Sequence, residues 1–157
     1  MNGEPDIEGP DGETPHGERP NRESTVRRIL GQPRVVAVLG AHVRRHKPAF
    51  YVPDYLFEHG FSVLPVNPVF AGEVQRGEVF VGRLSELETP VDVVNVFRRS
   101  SRLPEHVDEI LGLDPLPRWA WFQLGVRHDE VAARLREEGI EVIQDRCMLA
   151  DHRRFLL

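Results

Sequence analysis

The residues best suited to chemistry in this chain form a cationic cluster directly after a short apolar run. The run spans residues 35–39, and the cluster that follows consists of His42, Arg44, Arg45, His46 and Lys47. Arginine and lysine bind phosphate groups through charge-assisted hydrogen bonds, so this density of cations favours a phosphate-binding loop. A solvated basic loop that holds no ligand is the alternative.

Gly40 stands between the apolar run and the cationic cluster. A glycine here lets the backbone turn sharply and come close to a ligand. A helix that begins after the cluster would direct the positive end of its dipole at the same place. The dinucleotide-binding fingerprint requires three glycines, however, and the next one is Gly60. Taken alone, Gly40 is equally consistent with an ordinary strand-to-helix turn.

A second apolar run, residues 61–66, ends in the rigid sequence Pro65-Val66-Asn67-Pro68. NAD-binding domains usually carry Asp or Glu at the end of the second strand, where the carboxylate binds the ribose hydroxyls. Here that place is taken by Asn67, and the first acidic residue after it is Glu73. The sequence therefore argues against NAD as the nucleotide.

The elements that must position these residues alternate between strands and helices. Apolar runs predict strands at residues 35–39, 61–66, 79–81, 91–97, 119–124 and 140–143. Helical periodicity predicts helices near 24–30, 48–59, 105–113 and 128–138, with Pro53 either delaying or kinking the second. This alternation is typical of an α/β fold, which we expect to be a Rossmann-like three-layer sandwich with a mainly parallel sheet of five to six strands.

Charge and composition divide the chain into two parts. Residues 1–24 carry seven of the acidic residues and only two arginines, and they are rich in Gly and Pro, so we expect a disordered acidic tail. In residues 25–157, the expected domain, the acidic and basic residues cancel, which predicts neither nucleic acid nor a membrane as partner. One cysteine and no apolar run of about 20 residues favour a cytoplasmic protein.

Six short motifs then occur in order along the chain. They are Gly40-Ala41-His42, Lys47-Pro48-Ala49, Leu64-Pro65-Val66-Asn67-Pro68, Val96-Phe97-Arg98-Arg99, Gln123-Leu124-Gly125 and Asp145-Arg146-Cys147. Together they resemble the small stand-alone CoA-binding proteins, which are similar to the CoA-binding Rossmann domain of succinyl-CoA synthetase and of ADP-forming acyl-CoA synthetases. The resemblance covers about residues 25–155 and implies that coenzyme A, or a short acyl-CoA, binds at the carboxyl ends of the strands.

The same resemblance implies a role for each part of the cleft. In the first loop it implies contacts with the CoA pyrophosphate or a neighbouring phosphate by Gly40, Ala41, His42, Arg44, Arg45 and Lys47. It implies that Asn67 and Pro68 border the adenosine part of the ligand. It implies further that Phe97 and Arg98 line the middle of the cleft, and that Gln123 and Gly125 line its far side. Many relatives have serine where His42 stands, but a neutral imidazole can still donate a hydrogen bond to a phosphate.

No Ser–His–Asp set or working pair of carboxylates is evident, so we expect a binding or regulatory protein without catalysis of its own. The alternative is a reductase or thiol-transfer enzyme that uses Cys147, whose thiol pKa the adjacent Arg146 could lower. The histidines lack metal-ligand spacing, so no metal site is expected. Trp119 and Trp121 alternate in a strand and should share one face, packed under a helix or at a homodimer contact.

Overall fold

A computed structural model describes residues 23–156. In chain order the strands are β1 Val35–Leu39, β2 Ser62–Val66, β3 Val74–Gln75, β4 Glu78–Val79, β5 Val93–Val96, β6 Trp119–Phe122 and β7 Glu141–Ile143. The α-helices are α1 Glu23–Leu30, α2 Pro48–Glu58, α3 Val107–Leu111, α4 Asp129–Glu137 and α5 Met148–Leu156. Short 3₁₀ helices lie at Pro68–Phe70, Leu84–Glu86 and Ser100–His106.

Five strands form one parallel sheet in the order β2-β1-β5-β6-β7, and β3 and β4 form a separate antiparallel hairpin. The chain runs outward from β1 to β2 and then returns to the other side of β1 as β5. The direction of winding therefore reverses between β1 and β5, and open α/β sheets bind ligands in the crevice outside the carboxyl ends at such a point. The predicted Rossmann-like α/β fold is confirmed.

Alternate side chains of each strand supply the two apolar layers of the sandwich. Val36 and Val38 face the side that also carries Trp119 and Trp121, called here the tryptophan face, which α1, α2 and α5 cover. Ala37 and its alternating neighbours face the opposite side, which α3 and α4 cover. The strands are therefore apolar on both faces, as expected for a parallel sheet between helices.

Both tryptophans are fully buried within the described part of the chain. The indole N–H of Trp119 donates to Glu141 Oε1 at 2.9 Å, and that of Trp121 donates to the carbonyl of Arg146 at 2.7 Å. Buried indoles need such partners. Of the two explanations for the pair, packing under helices is thus the one observed.

Helix α2 includes Pro53 and begins at Pro48, so the helix does not begin late. Proline has no N–H, and the carbonyl four residues earlier loses its usual helical donor. That carbonyl belongs to Ala49, and it accepts instead from the backbone N–H of His42 at 3.3 Å. The proline therefore leaves an acceptor that holds the first loop against α2.

Several sequence-based boundaries differ from the structure. Residues 79–81 do not form one edge strand: β4 pairs with β3, and Val81 makes only an isolated parallel bridge to Val66. The expected disordered tail, residues 1–24, falls mostly outside the described residues, but Glu23 and Ser24 belong to α1. The Glu23 carboxylate binds Arg154 at 3.1 Å, a partner 131 positions away, which connects α1 to α5.

Helix α5 is fastened to the rest of the domain by polar contacts. Asp151 accepts two hydrogen bonds from Arg146, at 2.8 and 2.9 Å, and the His152 ring lies 2.9 Å from the hydroxyl of Tyr55 on α2. His152 is only 7% exposed. No helix within residues 23–156 is long and apolar enough to cross a membrane.

The buried His152 makes stability depend on pH. Burial and the nearby His59 lower the pKa of His152, so the unfolded chain takes up a proton more readily than the folded chain. Its contribution to stability is present above the ordinary pKa of about 6.5 and is lost as the pH falls below that value through the folded-state pKa. We expect the melting temperature to fall between pH 7.5 and 5.5.

Thermal denaturation of His152→Asn, which keeps a partner for Tyr55 but does not titrate in this range, should show a smaller fall over the same interval. The matched control is His46→Asn, because His46 is exposed. Equal falls in wild type and His152→Asn would show that another group causes the pH dependence.

Candidate ligand-binding site

A cavity of about 540 Å³ opens at the carboxyl ends of β1, β2 and β5. It lies on the side of the sheet opposite the tryptophan face, because Leu39 and Val66 form its floor. Its polar lining comes from Asn67, Arg83, Ser85, Arg98, Arg102, Glu105, His106, Asp108 and Glu109. The cavity thus occupies the point where the winding of the sheet reverses.

Gly40 allows the ends of β1 and β5 to come together at this point. Its φ is +95°, a region that side chains disfavour, and a Cβ there would lie 2.4 Å from the carbonyl oxygen of Phe97. The same Cβ would lie 3.1 Å from Cδ of Arg98, so the arginine side chain passes directly over the glycine. The sequence prediction of a turn glycine is confirmed, and its cause is close backbone approach as well as the positive φ.

Asn67 holds the first loop in place. Its amide nitrogen donates to the carbonyl of Ala41 at 2.9 Å, and its amide oxygen accepts from the N–H of Val69 at 3.0 Å. The residue is 7% exposed, and it lines the cavity together with Pro68. Asn67 therefore joins the ends of β1 and β2, a structural role that the sequence did not indicate.

His42 is fixed on several sides. Its Nδ1 accepts from the backbone N–H of Arg44 at 3.0 Å, its carbonyl accepts from the side chain of Gln75 at 3.0 Å, and its ring meets Phe70 edge-on at 5.0 Å. Burial, assisted by the positive charges of Lys47 and Arg44, lowers the pKa of His42. The ring is therefore neutral at pH 7, and because Nδ1 accepts, its proton is on Nε2, which is left as a donor.

The three loop cations are all exposed: Arg44, Arg45 and Lys47. Arg45 lies over the ring of Phe50 at 5.8 Å, and Lys47 occupies the N-cap of α2 without a side-chain hydrogen bond to the helix. The positive end of the α2 dipole consequently lies beside the cations. These groups can attract an anion together, although none of the three lines the cavity itself.

Most of the predicted site residues do not line the cavity. Of the predicted set, only Gly40, Asn67, Pro68 and Arg98 line the cavity. Phe97 is half-buried and packs on the tryptophan face. Gln123 is 5% exposed, with an Oε1 that has no partner among the described residues, and Gly125 donates its N–H to Asp145 Oδ1 at 2.6 Å.

The sequence analysis missed seven polar residues that line the cavity: Arg83, Ser85, Arg102, Glu105, His106, Asp108 and Glu109. Arg102 is paired with Glu105 through two hydrogen bonds, at 2.7 and 3.1 Å, whereas Arg83 is exposed. Burial alone would raise the pKa of the Glu109 carboxyl, but hydrogen bonds from His106 and from the N–H of Leu84 lower it. Arg83 lies in a bend, Arg102 and His106 in the 3₁₀ helix Ser100–His106 and Glu109 in α3, so no single periodic pattern links them.

Cys147 and Arg146, on which the alternative enzyme prediction depends, do not line this cavity. Cys147 is half-buried, packs with the apolar residues of the tryptophan face, and is not among the residues that line the cavity. Arg146 binds Asp151 and Glu23, which ties down the C-terminal segment. Within residues 23–156 there is no cluster of three or more His, Cys, Asp or Glu side chains that could hold a metal ion.

Several known proteins are similar to this chain in sequence or in fold. The chain is 33% identical over 130 residues to the uncharacterized protein YneT of Bacillus subtilis, a match that covers 83% of this chain and 93% of that protein. The solved structure of cell-free ID.343 from Thermus thermophilus is 46% identical, covers 85% of this chain and 98% of its own, and has a TM-score of 0.80. A hypothetical protein from Pyrococcus horikoshii OT3 is 28% identical over 87% of this chain and 93% of its own, with a TM-score of 0.79.

The match to a protein family extends over the whole sheet. Residues 34–153, from the start of β1 into α5, match the family of CoA binding domains. The matched range contains every residue that lines the cavity and every predicted site residue. The resemblance stated from the six motifs is therefore confirmed: this chain belongs to the CoA binding domain family.

Proposed function

We propose that the protein binds coenzyme A, or a short acyl-CoA, at the carboxyl ends of its parallel strands and acts as a binding or regulatory protein rather than as a catalyst. The observation that carries this proposal is the cavity at the β1–β5 switch point, bordered by Gly40, Asn67 and Arg98 in a chain of the CoA binding domain family. A crevice at this position is where open α/β sheets take nucleotides.

The first loop supplies the groups that phosphates require. Arg44, Arg45 and Lys47 are exposed cations, and His42 has an Nε2–H donor beside them. Asn67 and Gln75 hold the loop from two sides, so its backbone is ordered before a ligand arrives. An ordered site loses less conformational entropy on binding. This arrangement supports contacts between the loop and the CoA pyrophosphate.

The end of β2 supports coenzyme A over NAD. Asn67 occupies the place of the ribose-binding acid, and both the oxygen and the nitrogen of its amide already bind the backbone. Three arginines line the cavity or its rim: Arg83, Arg98 and Arg102. Coenzyme A carries a phosphate on its ribose, where NAD carries only hydroxyls, so arginines suit coenzyme A better.

The surroundings of the cavity support binding without catalysis. Glu105 is paired with Arg102, and Glu109 accepts from His106 and Leu84. These hydrogen bonds lower the pKa of both carboxyl groups, which makes them weaker bases. We include in the proposal a cytoplasmic location and no nucleic-acid partner, which the single cysteine and the balanced charge of residues 25–157 support. A second copy of the chain is the candidate protein partner.

A ligand screen tests the proposal directly. In differential scanning fluorimetry, CoA and acetyl-CoA should raise the melting temperature and NAD should not. A ligand present at 100 times its Kd stabilises the folded state by about 2.7 kcal/mol, which gives a measurable shift. ATP serves as the control for a general preference for nucleotides. Stabilisation by NAD and not by CoA would contradict the proposal.

The loop cations are tested by charge removal. The double substitution Arg44→Gln and Arg45→Gln should weaken CoA binding about tenfold, since an exposed charge contact contributes up to about 1 kcal/mol. The loss should shrink as salt rises, because at 0.1 M ionic strength charges are screened over about 10 Å. Isothermal titration calorimetry at two salt concentrations measures both effects.

The matched control for this experiment is Arg134→Gln with Arg153→Gln, which removes the same charge from exposed positions on α4 and α5. The control should leave CoA affinity nearly unchanged. Equal losses in the two double variants would mean that only total charge matters, and the loop would then have no specific role.

A further inference from the structure

Three side chains form a continuous hydrogen-bond chain along one wall of the cavity. Nε of Arg98 lies 3.3 Å from Nε2 of His106, and Nδ1 of His106 lies 3.0 Å from Oε1 of Glu109. The other carboxylate oxygen of Glu109 accepts from the backbone N–H of Leu84 at 2.6 Å. This series of hydrogen bonds therefore connects the end of β5 to the 3₁₀ helix at Ser100–His106, to α3 and to the segment after β4.

The donors and acceptors fix the direction of every bond in this chain. The Nε–H of a guanidinium can only donate, so Nε2 of His106 accepts and the ring proton is on Nδ1. Nδ1–H then donates to Glu109, which has no proton of its own to offer. His106 thus links Arg98 to a carboxylate that the backbone N–H of Leu84 holds in place.

Burial restricts the movement of these three hydrogen-bonded side chains. The side chains of His106 and Glu109 are 13% and 18% exposed, and Arg98 is half-buried. The bond to His106 uses only Nε, and no other described residue is hydrogen-bonded to the two terminal nitrogens of Arg98. Arg102 is different, because Glu105 binds it twice. Arg98 is therefore the cavity arginine that is both held in place and left with a free fork of donors.

We propose that His106 and Glu109 are positioning residues that hold Arg98 ready to bind a phosphate group of the ligand. This inference rests on the proposed function and extends it to two residues outside the six motifs. An arginine side chain has many rotamers, and fixing it before binding lowers the entropy lost when its donors meet a phosphate. Glu109 also holds Leu84, next to Arg83, so one carboxylate sets two walls of the same cavity.

The first experiment establishes what Arg98 does. Arg98→Gln should weaken CoA binding about 10- to 100-fold in calorimetry, the range for a charge-assisted hydrogen bond. Its matched control is Arg99→Gln, which removes the same charge from the exposed neighbour and should change affinity less than about twofold. If the wild-type protein does not bind CoA, the proposed function is wrong. If Arg98→Gln binds CoA as tightly as the wild type does, the proposed role of Arg98 is wrong.

The second experiment asks whether His106 acts through Arg98. His106→Leu removes both hydrogen bonds and should weaken CoA binding about 3- to 10-fold, while His106→Gln, which can accept with its oxygen and donate with its nitrogen, should restore most of the affinity. In an Arg98→Gln background, His106→Leu should cause little further loss, because interacting residues are not additive. Melting temperatures of all variants identify any that fail to fold.

The outcomes separate this inference from the proposed function. Wild-type binding and a large effect of Arg98→Gln, combined with equal losses from His106→Leu in both backgrounds, would overturn the positioning role and leave the proposed function intact. The same conclusion follows if His106→Leu binds as wild type does, or if His106→Gln restores the melting temperature but not the affinity.

Discussion

The close approach of β1 and β5 at Gly40 is the constraint on which the rest of the site depends. The carbonyl of Phe97 occupies the space where any other residue would have its Cβ. Since these two strands are also where the winding of the sheet reverses, their meeting point is the base of the cavity. Arg98 passes over the glycine because no side chain stands in its way. The absence of a side chain at Gly40 thus allows both the close approach of the two strands and the position of the Arg98 side chain.

Backbone carbonyls without their usual partners hold the first loop onto this base. Pro53 deprives the carbonyl of Ala49 of a helical donor, and the N–H of His42 takes its place. Asn67 binds the carbonyl of Ala41 in a similar way. Buried backbone groups are costly when unpaired, so both contacts stabilise the loop in one conformation. Pro53, which is unusual inside a helix, and Asn67 therefore both help to order the site.

Much of the fold could be predicted because its elements depend on local patterns. The apolar run at Val35–Leu39 and the glycine after it gave β1 and its turn, and the periodic apolar positions of α4 gave that helix. The prediction of one strand at residues 79–81 was wrong, because Glu78 and Val79 pair within a hairpin that has no buried face of its own. The segment before α3 was predicted as part of a helix, but it is 3₁₀ as far as His106.

The candidate site was predictable only where the ligand-binding pattern is local. The cations at Arg44, Arg45 and Lys47 are close in sequence, so their density predicts a phosphate-binding loop, although none of the three lines the cavity. His106 and Glu109 are three positions apart in the predicted helix, but no local pattern indicated their other partners, which are Arg98, eight positions before His106, and Leu84, in a different segment. Hydrogen bonds between separate segments leave no periodic trace in a sequence.

The sequence by itself determined the alternation of strands and helices, the glycine turn and the absence of an acid after β2, because each is a property of neighbouring residues. Only the tertiary structure decided that β1 lies between β2 and β5, and therefore which strand ends meet around the cavity. It also decided that Asn67 fastens the loop and that Arg98, His106 and Glu109 form one chain. These contacts depend on strand order and on the packing of distant segments, which local propensity does not encode.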